Sequence, residues 1–222
     1  MFADSAVVVL ISVVPGLIAL TYILHYRRVG WLLPVLGGGG WLIALLSRTP
    51  LLYVSANILE RGTYLVIASY MAGVFEEPVR YVILRSSIAK NDKLGSALAL
   101  GLGWGLAEAL LLYVIPVLTY SQMEYSYLDL MPGAVERNIA ITAHVIFSVL
   151  VMRSLSNVKY LLLAIIAHGT LNIAGVAALE LTSSAWLTEA LLALIVTSLV
   201  ILIAMRRDWL LPRVAIASRA SL

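Results

Sequence analysis

Apolar residues in this chain run in long unbroken stretches, and the polar residues gather mostly in the gaps between them. A transmembrane helix needs roughly 20 predominantly apolar residues. Seven stretches reach that length, at about 4–25, 31–55, 63–86, 94–119, 137–155, 158–179 and 185–205. The runs are continuous rather than alternating, which argues against a membrane β-barrel. The pattern predicts an all-α membrane protein, with residues 1–222 forming a single polytopic domain built as a bundle of about seven transmembrane helices. The second stretch contains Gly37, Gly38, Gly39, Gly40, Arg48 and Pro50, so a tilted or broken helix is expected there.

Composition sharpens this picture. The chain is 62% hydrophobic and 12% charged, whereas a soluble domain is nearer half apolar and a quarter charged. The apolar runs follow one another almost to the C-terminus and leave no room for a separate soluble domain. Cysteine is absent, which excludes disulfides and thiolate chemistry. Asp4 stands where a secretory signal would carry Lys or Arg, so the first run is expected to be retained as a span. The net charge of +3 does not point to nucleic acid, because the basic residues lie between apolar runs. They instead set an orientation. Arg27, Arg28, Arg85, Lys90, Lys93, Arg153, Lys159, Arg206, Arg207, Arg213 and Arg219 fall on one side, against Arg61 and Arg137 on the other. The N-terminus is therefore expected outside and the C-terminus in the cytoplasm. The outer loop near 120–136, with Tyr120, Tyr125 and Tyr127, reads as an interfacial segment.

Several ionisable residues nevertheless fall inside the apolar runs. A charge at the centre of a span costs roughly 2.5–3.5 kcal/mol on insertion scales, so such residues face the bundle interior and point to function. The third run holds Glu76, Glu77 and Arg80. Glu76 and Arg80 are four residues apart and share a helix face, so Arg80 is expected to neutralise one carboxylate and leave the other free. A purely structural ion pair would need only one carboxylate, and two are present. The fourth run holds Glu108 after Gly101, Gly103 and Gly105, a bare face suited to close helix packing. Glu108 is either a partner for Arg48 or Arg80, or a direct participant. The fifth run holds His144 and the sixth holds His168, with Asn172 one turn on. At 1.5 Å per residue these side chains lie at similar depth and can converge. His25, Asp92, Glu180, Glu189 and Asp208 read as interfacial, loop or span-end charges.

Carboxylates and imidazoles together can hold a water and take its proton, and an amide such as Asn172 can donate to a developing oxyanion. His144, His168 and Glu76 are also the residue types of a His₂Glu site for a divalent metal such as zinc. The HExxH signature is absent, as are GxSxG and a Ser/Lys pair within the spans, which leaves an activated water as the hydrolytic option.

The ordered motifs resemble a known superfamily. Phe75-Glu76-Glu77-Pro78-Val79-Arg80 resembles the first motif of the CPBP (CAAX prenyl protease and bacteriocin-processing) intramembrane proteases. Trp104-Gly105-Leu106-Ala107-Glu108 resembles the second motif of the PrsW branch, and His168-Gly169-Thr170-Leu171-Asn172 the third motif, HxxxN. The pattern is most similar to the YhfC branch, through FEExxR, the glycine-rich segment ending in Glu108, Glu136-Arg137 followed by His144, and HxxxN. The resemblance covers residues 70–180 by motif. It implies an intramembrane endopeptidase in a prokaryotic cell membrane, acting on a membrane protein or peptide. Glu76 would then activate water, Glu77 would tune it or contact Arg80, and His168 and Asn172 would orient water or stabilise the oxyanion. Glu108 stands where the CAAX branch has histidine, and His144 is placed to supply that imidazole from another helix. Metal-dependent and metal-free mechanisms both remain open, as does oligomeric state.

Two other function classes use the same residues. The superfamily also resembles the anterior-pharynx-defective scaffold subunit of gamma-secretase, a seven-span protein with buried histidines in its fifth and sixth spans, where the cluster would serve assembly. A proton-coupled ion or lipid transporter would use the cluster as a relay, but the chain shows no internal repeat to support it.

Overall fold

The structure is a computed structural model that describes residues 2–86, 92–119 and 126–206. It contains seven long helices: α1 (Phe2–Arg27), α2 (Leu32–Ile58), α3 (Arg61–Arg85), α4 (Lys93–Thr119), α5 (Tyr127–Ser154), α6 (Lys159–Thr182) and α7 (Ala185–Met205). No strand occurs among the described residues. Helices are the natural solution for these segments, since lipid offers no partner to an open backbone N–H or C=O. All of them except α3 are long and apolar enough to cross a membrane, which makes this an integral multi-pass membrane protein. α3 is 25 residues long, but Arg61, Glu76, Glu77, Arg80 and Arg85 lower its apolar content. Of these, Glu76, Glu77 and Arg80 are buried among neighbouring helices, whereas Arg61 and Arg85, at the two ends of the helix, are exposed.

Helix starts follow local side-chain chemistry. Glu60 caps α3 by accepting from the N–H groups of Gly62 and Thr63, at 2.9 and 2.6 Å. Asp92 caps α4 through the Gly95 N–H at 2.9 Å and also pairs with Arg27, which ties the end of α1 to the start of α4. Ser126 and Asp129 form a reciprocal capping box at the start of α5. That box begins the helix at Tyr127, ten residues before the expected start of the fifth span at 137. Residues 126–136, expected as part of an outer loop, thus include the first turns of α5, while Tyr120 and Tyr125 lie outside the described residues. Asp208, Lys90, Arg207, Arg213 and Arg219 lie outside them as well.

The expected break in the second span does not occur. α2 is continuous through its four glycines and Pro50, and α3 is continuous through Pro78. The irregular helix is α4, which opens into one wide π turn at Leu110–Val114. Pro116 follows two residues after its end. It lacks an N–H and its ring presses on the preceding turn, and a widened turn relieves that clash. The turn begins two residues after Glu108, as single π turns often do beside functional residues.

α4 lies at the centre of the bundle, between α2 and α5, while α3 packs against α2 and α6. The glycines of α4 permit this. A methyl group added at Gly101 would lie 2.7 Å from the Val145 Cα, and one at Gly105 would lie 2.6 Å from the Ile141 Cα. The backbones of α4 and α5 therefore nearly touch, which sets Glu108 opposite His144. Leucine, isoleucine and valine cover much of the outer surface, as expected of helices facing lipid, whereas Glu76, Glu77, Arg80, His144 and His168 are buried inside.

Candidate active site

The site forms where α3, α4, α5 and α6 meet, with α2 closing one side. By helical rise, Glu76, His144 and His168 stand about 14–15 Å from the nearer ends of their helices, close to the middle of a layer roughly 30 Å thick. Adjacent positions on α3 send Glu76 and Glu77 to different neighbours. Glu76 Oε1 accepts from Arg48 Nη1 of α2 at 2.8 Å, and its Oε2 accepts from Trp104 Nε1 of α4 at 2.8 Å. Glu77 is fully buried, with Oε1 2.7 Å from His168 Nδ1 and Oε2 3.4 Å from Arg80 Nη1. Each carboxylate thus has its own arginine. Arg80 pairs with Glu77 and leaves Glu76 to Arg48, contrary to the expectation that one arginine would serve the pair and leave a carboxylate free.

Arg80 also links α3 to α5. Its Nη1 donates to the His144 carbonyl at 3.1 Å, its Nη2 lies 3.2 Å from His144 Nδ1, and its Cζ sits 4.4 Å from the centre of a Trp104 ring. A guanidinium can only donate, so His144 Nδ1 accepts. The ring proton is then on Nε2, which donates to Glu108 Oε2 at 2.9 Å. Glu108 further accepts from Trp41 Nε1 at 3.1 Å and from Arg137 Nη1 at 3.0 Å. Arg137 also pairs with its neighbour Glu136. The partner of Glu108 is therefore Arg137, not Arg48 or Arg80.

His168 is held differently. A carboxylate accepts, so Glu77 fixes the proton of His168 on Nδ1. The ring stacks on Phe147 with centroids 4.7 Å apart and planes within 13°, and meets His144 edge-on at 5.5 Å. These contacts leave Nε2 with a lone pair, 3.9 Å from Glu76 Oε2. That separation is too long for a direct hydrogen bond and short enough for one water to touch both atoms. Both residues line a cavity of about 500 Å³ that also takes in Arg48, Glu108, His144 and Asn172. The cavity follows α6 from His168 past Gly175 to Leu179, and reaches Thr188 and Glu189 near the start of α7.

The structure brings together all seven residues singled out from sequence: Glu76, Glu77, Arg80, Glu108, His144, His168 and Asn172. Sequence reasoning did not assign site roles to Trp41, Glu136, Arg137 or Glu189. The Ser126-x-x-Asp129 capping pattern was the available signal for the first turns of α5, and hence for Glu136 and Arg137 on a helix. Glu189 is one turn into α7 and buried, not a solvated span-end charge. Glu180, by contrast, is exposed and pairs with Arg61 at 2.7 Å.

A family model described as YhfC intramembrane metalloprotease matches residues 45–123. The match runs from the middle of α2 through α3 and α4, and it contains Arg48, Glu76, Glu77, Arg80, Trp104 and Glu108. Over that stretch, about a third of its length, the chain is similar to an intramembrane protease family. Comparison with curated proteins finds no match. The name of the matched family implies a metal, and the donor atoms can be tested for one. Both ring nitrogens of His144 are engaged, by Arg80 and Glu108. Glu76, Glu77 and Glu108 each face an arginine, so none presents uncompensated charge to a dication. Among the described residues, no three His, Asp or Glu side chains are placed to hold a metal ion. The set His144, His168 and Glu76 does not fit a three-ligand centre in this arrangement.

Proposed function

We propose that this protein is an intramembrane endopeptidase that hydrolyses a membrane-embedded or membrane-proximal peptide bond, using a water held between His168 and Glu76. The observation that carries the reading is His168 itself. Its Nδ1 is fixed by Glu77 at 2.7 Å, and its Nε2 looks onto the cavity 3.9 Å from Glu76 Oε2. An imidazole oriented by a carboxylate, with its second nitrogen free, is the arrangement of a general base. His168 takes the water proton, Glu77 holds the ring and offsets the charge it gains, and Glu76 orients the water from the opposite side. Glu76 is less suited to be the base, since both of its oxygens already accept hydrogen bonds. Arg48 and Asn172 line the same cavity and are the candidate donors to the oxyanion. The chain would do this as a seven-span domain with its N-terminus outside.

One observation favours the scaffold reading instead: Glu76, Glu77 and Glu108 each have an arginine partner, as a locking network would. A single experiment separates the two. Wild type, Glu76→Gln and His168→Gln are expressed at equal level in cells, and new protein N-termini in the membrane fraction are identified by mass spectrometry. The protease reading expects N-termini within or beside apolar segments in wild type only. Identical N-termini in all three strains, with a partner copurifying, would refute it in favour of the scaffold.

A further inference from the structure

The charges along the cavity are unevenly compensated. At the inner end, Glu76 and Glu77 face Arg48 and Arg80. Toward the end where α5 and α7 begin, one arginine, Arg137, faces Glu108, Glu136 and Glu189. Arg137 spends its guanidinium on the first two, donating from Nη1 to Glu108 and from Nε to Glu136 at 2.7 Å. Glu189 lies on the cavity wall with only 9% of its surface exposed, and its buried Oε2 has no hydrogen-bond partner. An ionised carboxylate in that setting is costly unless something cationic reaches it. A metal ion is not the natural occupant, since no three of the described side chains converge to hold one. The walls leading from the acids to His168 carry Leu112, Leu171 and Leu179, which suit an apolar chain and the methylene stem of a long basic side chain.

The geometry points to an anionic subsite, formed by Glu136 and Glu189, that takes a lysine or arginine side chain of the peptide substrate. The inference rests on the protease reading and adds a specificity to it. Its position follows from α5. Glu136 precedes His144 by about two helical turns, roughly 12 Å along the axis. An extended peptide advances about 3.3 Å per residue, so the basic residue sits roughly three to four positions from the scissile bond.

The test uses the full-length protein in dodecyl maltoside micelles and dye-labelled Leu/Ala single-span peptides in which one Lys is walked along the sequence, with a Gln series as control. Binding is read by fluorescence anisotropy and cleavage positions by mass spectrometry. Wild type is expected to bind the best Lys peptide at least about tenfold more tightly than its Gln counterpart, and the cut is expected to move with the Lys at a fixed offset. Glu189→Gln and Glu136→Gln should each shrink that ratio, the double variant should bring it close to one, and Glu189→Asp should keep it. Helicity by circular dichroism identifies any variant that does not fold, and either single substitution suffices for the comparison. A ratio near one in wild type, or an undiminished ratio in the folded double variant, overturns the subsite. Displacement of the Lys peptide by equimolar phosphatidylethanolamine would assign the acids to a lipid headgroup and also overturn it. Lys-selective binding without any cleavage would leave the subsite standing and remove the protease reading, whereas cleavage without Lys preference would do the reverse.

Discussion

Replacing Glu77 by glutamine tests the proposed mechanism at its most specific point. The side chain keeps its size, and the amide can still hydrogen-bond His168 Nδ1 across the present 2.7 Å. What changes is direction. A carboxylate only accepts and therefore holds the proton on Nδ1, whereas an amide can donate and let the proton move to Nε2. That relocation removes the lone pair 3.9 Å from Glu76, the one proposed to take the water proton. General-base catalysis contributes typically 10²–10⁴-fold, which is about 3–5 kcal/mol of barrier at 1.36 kcal/mol per decade. Single-turnover cleavage of a peptide spanning a mapped site, followed by mass spectrometry, should show kcat reduced by about that factor with KM little changed. Glu77→Asp, which keeps an acceptor, should recover part of the loss. Because the substitution also strips Arg80 of its buried counter-ion, rates are compared at equal folded fraction, measured by circular dichroism. A Glu77→Gln rate within a few-fold of wild type would refute the role given to the Glu77–His168 pair.

Further expectations follow from the same arrangement. Arg80→Met leaves Glu77 buried without its ion pair and breaks two contacts to His144, so it should destabilise the protein by about 3–5 kcal/mol in an SDS unfolding titration. The double variant with Glu77→Gln should recover part of that cost, and strict additivity would count against the pairing. Since no three His, Asp or Glu side chains among the described residues are placed to hold a metal, cleavage should be unchanged by EDTA, and purified protein should hold well under one equivalent of zinc by elemental analysis. Chelator-sensitive cleavage restored by zinc would show that the site rearranges around a metal. At the α1–α4 junction, burial opposes ionisation of Asp92, but the Arg27 hydrogen bond and the Gly95 N–H outweigh it and hold the carboxyl below the usual aspartate range. The junction therefore contributes stability that is present above about pH 4 and lost as pH falls further, and Asp92→Asn should flatten that acid dependence in thermal unfolding.

Much of this architecture was legible because a bilayer restricts what a sequence can do. Apolar run length fixed the helices, and the cost of burying charge turned Glu76, Glu77, Arg80, Glu108, His144 and His168 into a cluster before any contact was known. Pairing was less accessible. Spacing on one helix suggested Glu76 with Arg80, but α2 enters from outside that local frame and places Arg48 against Glu76 at 2.8 Å. Glu136 and Arg137 received no site role for another reason. Apolar run length locates the lipid-facing portion of a helix, and α5 continues ten residues beyond it on a capping box, lined on its inner side by polar residues that protein covers rather than lipid.

That extension bears on how a hydrolytic reaction could run in a membrane at all. Water and a polar peptide backbone must reach side chains that lie about 14 Å from the nearer helix ends and more than about 20 Å from the farther ones. In this bundle the polar wall does not stop at the reactive centre. It continues from His168 and Glu76 along Asn172, Arg137 and Glu136 to Thr188 and Glu189, giving a route with hydrogen-bonding groups along its length. The arginines have a matching role. Three buried carboxylates without counter-ions would repel one another, while one arginine for each offsets that repulsion and fixes the side chains. His168 is the exception in this network, with one nitrogen committed to Glu77 and the other left to the cavity. A site built only for stability would have satisfied both nitrogens, as happens at His144. The contrast between the two histidines is thus the strongest structural argument for chemistry at this position.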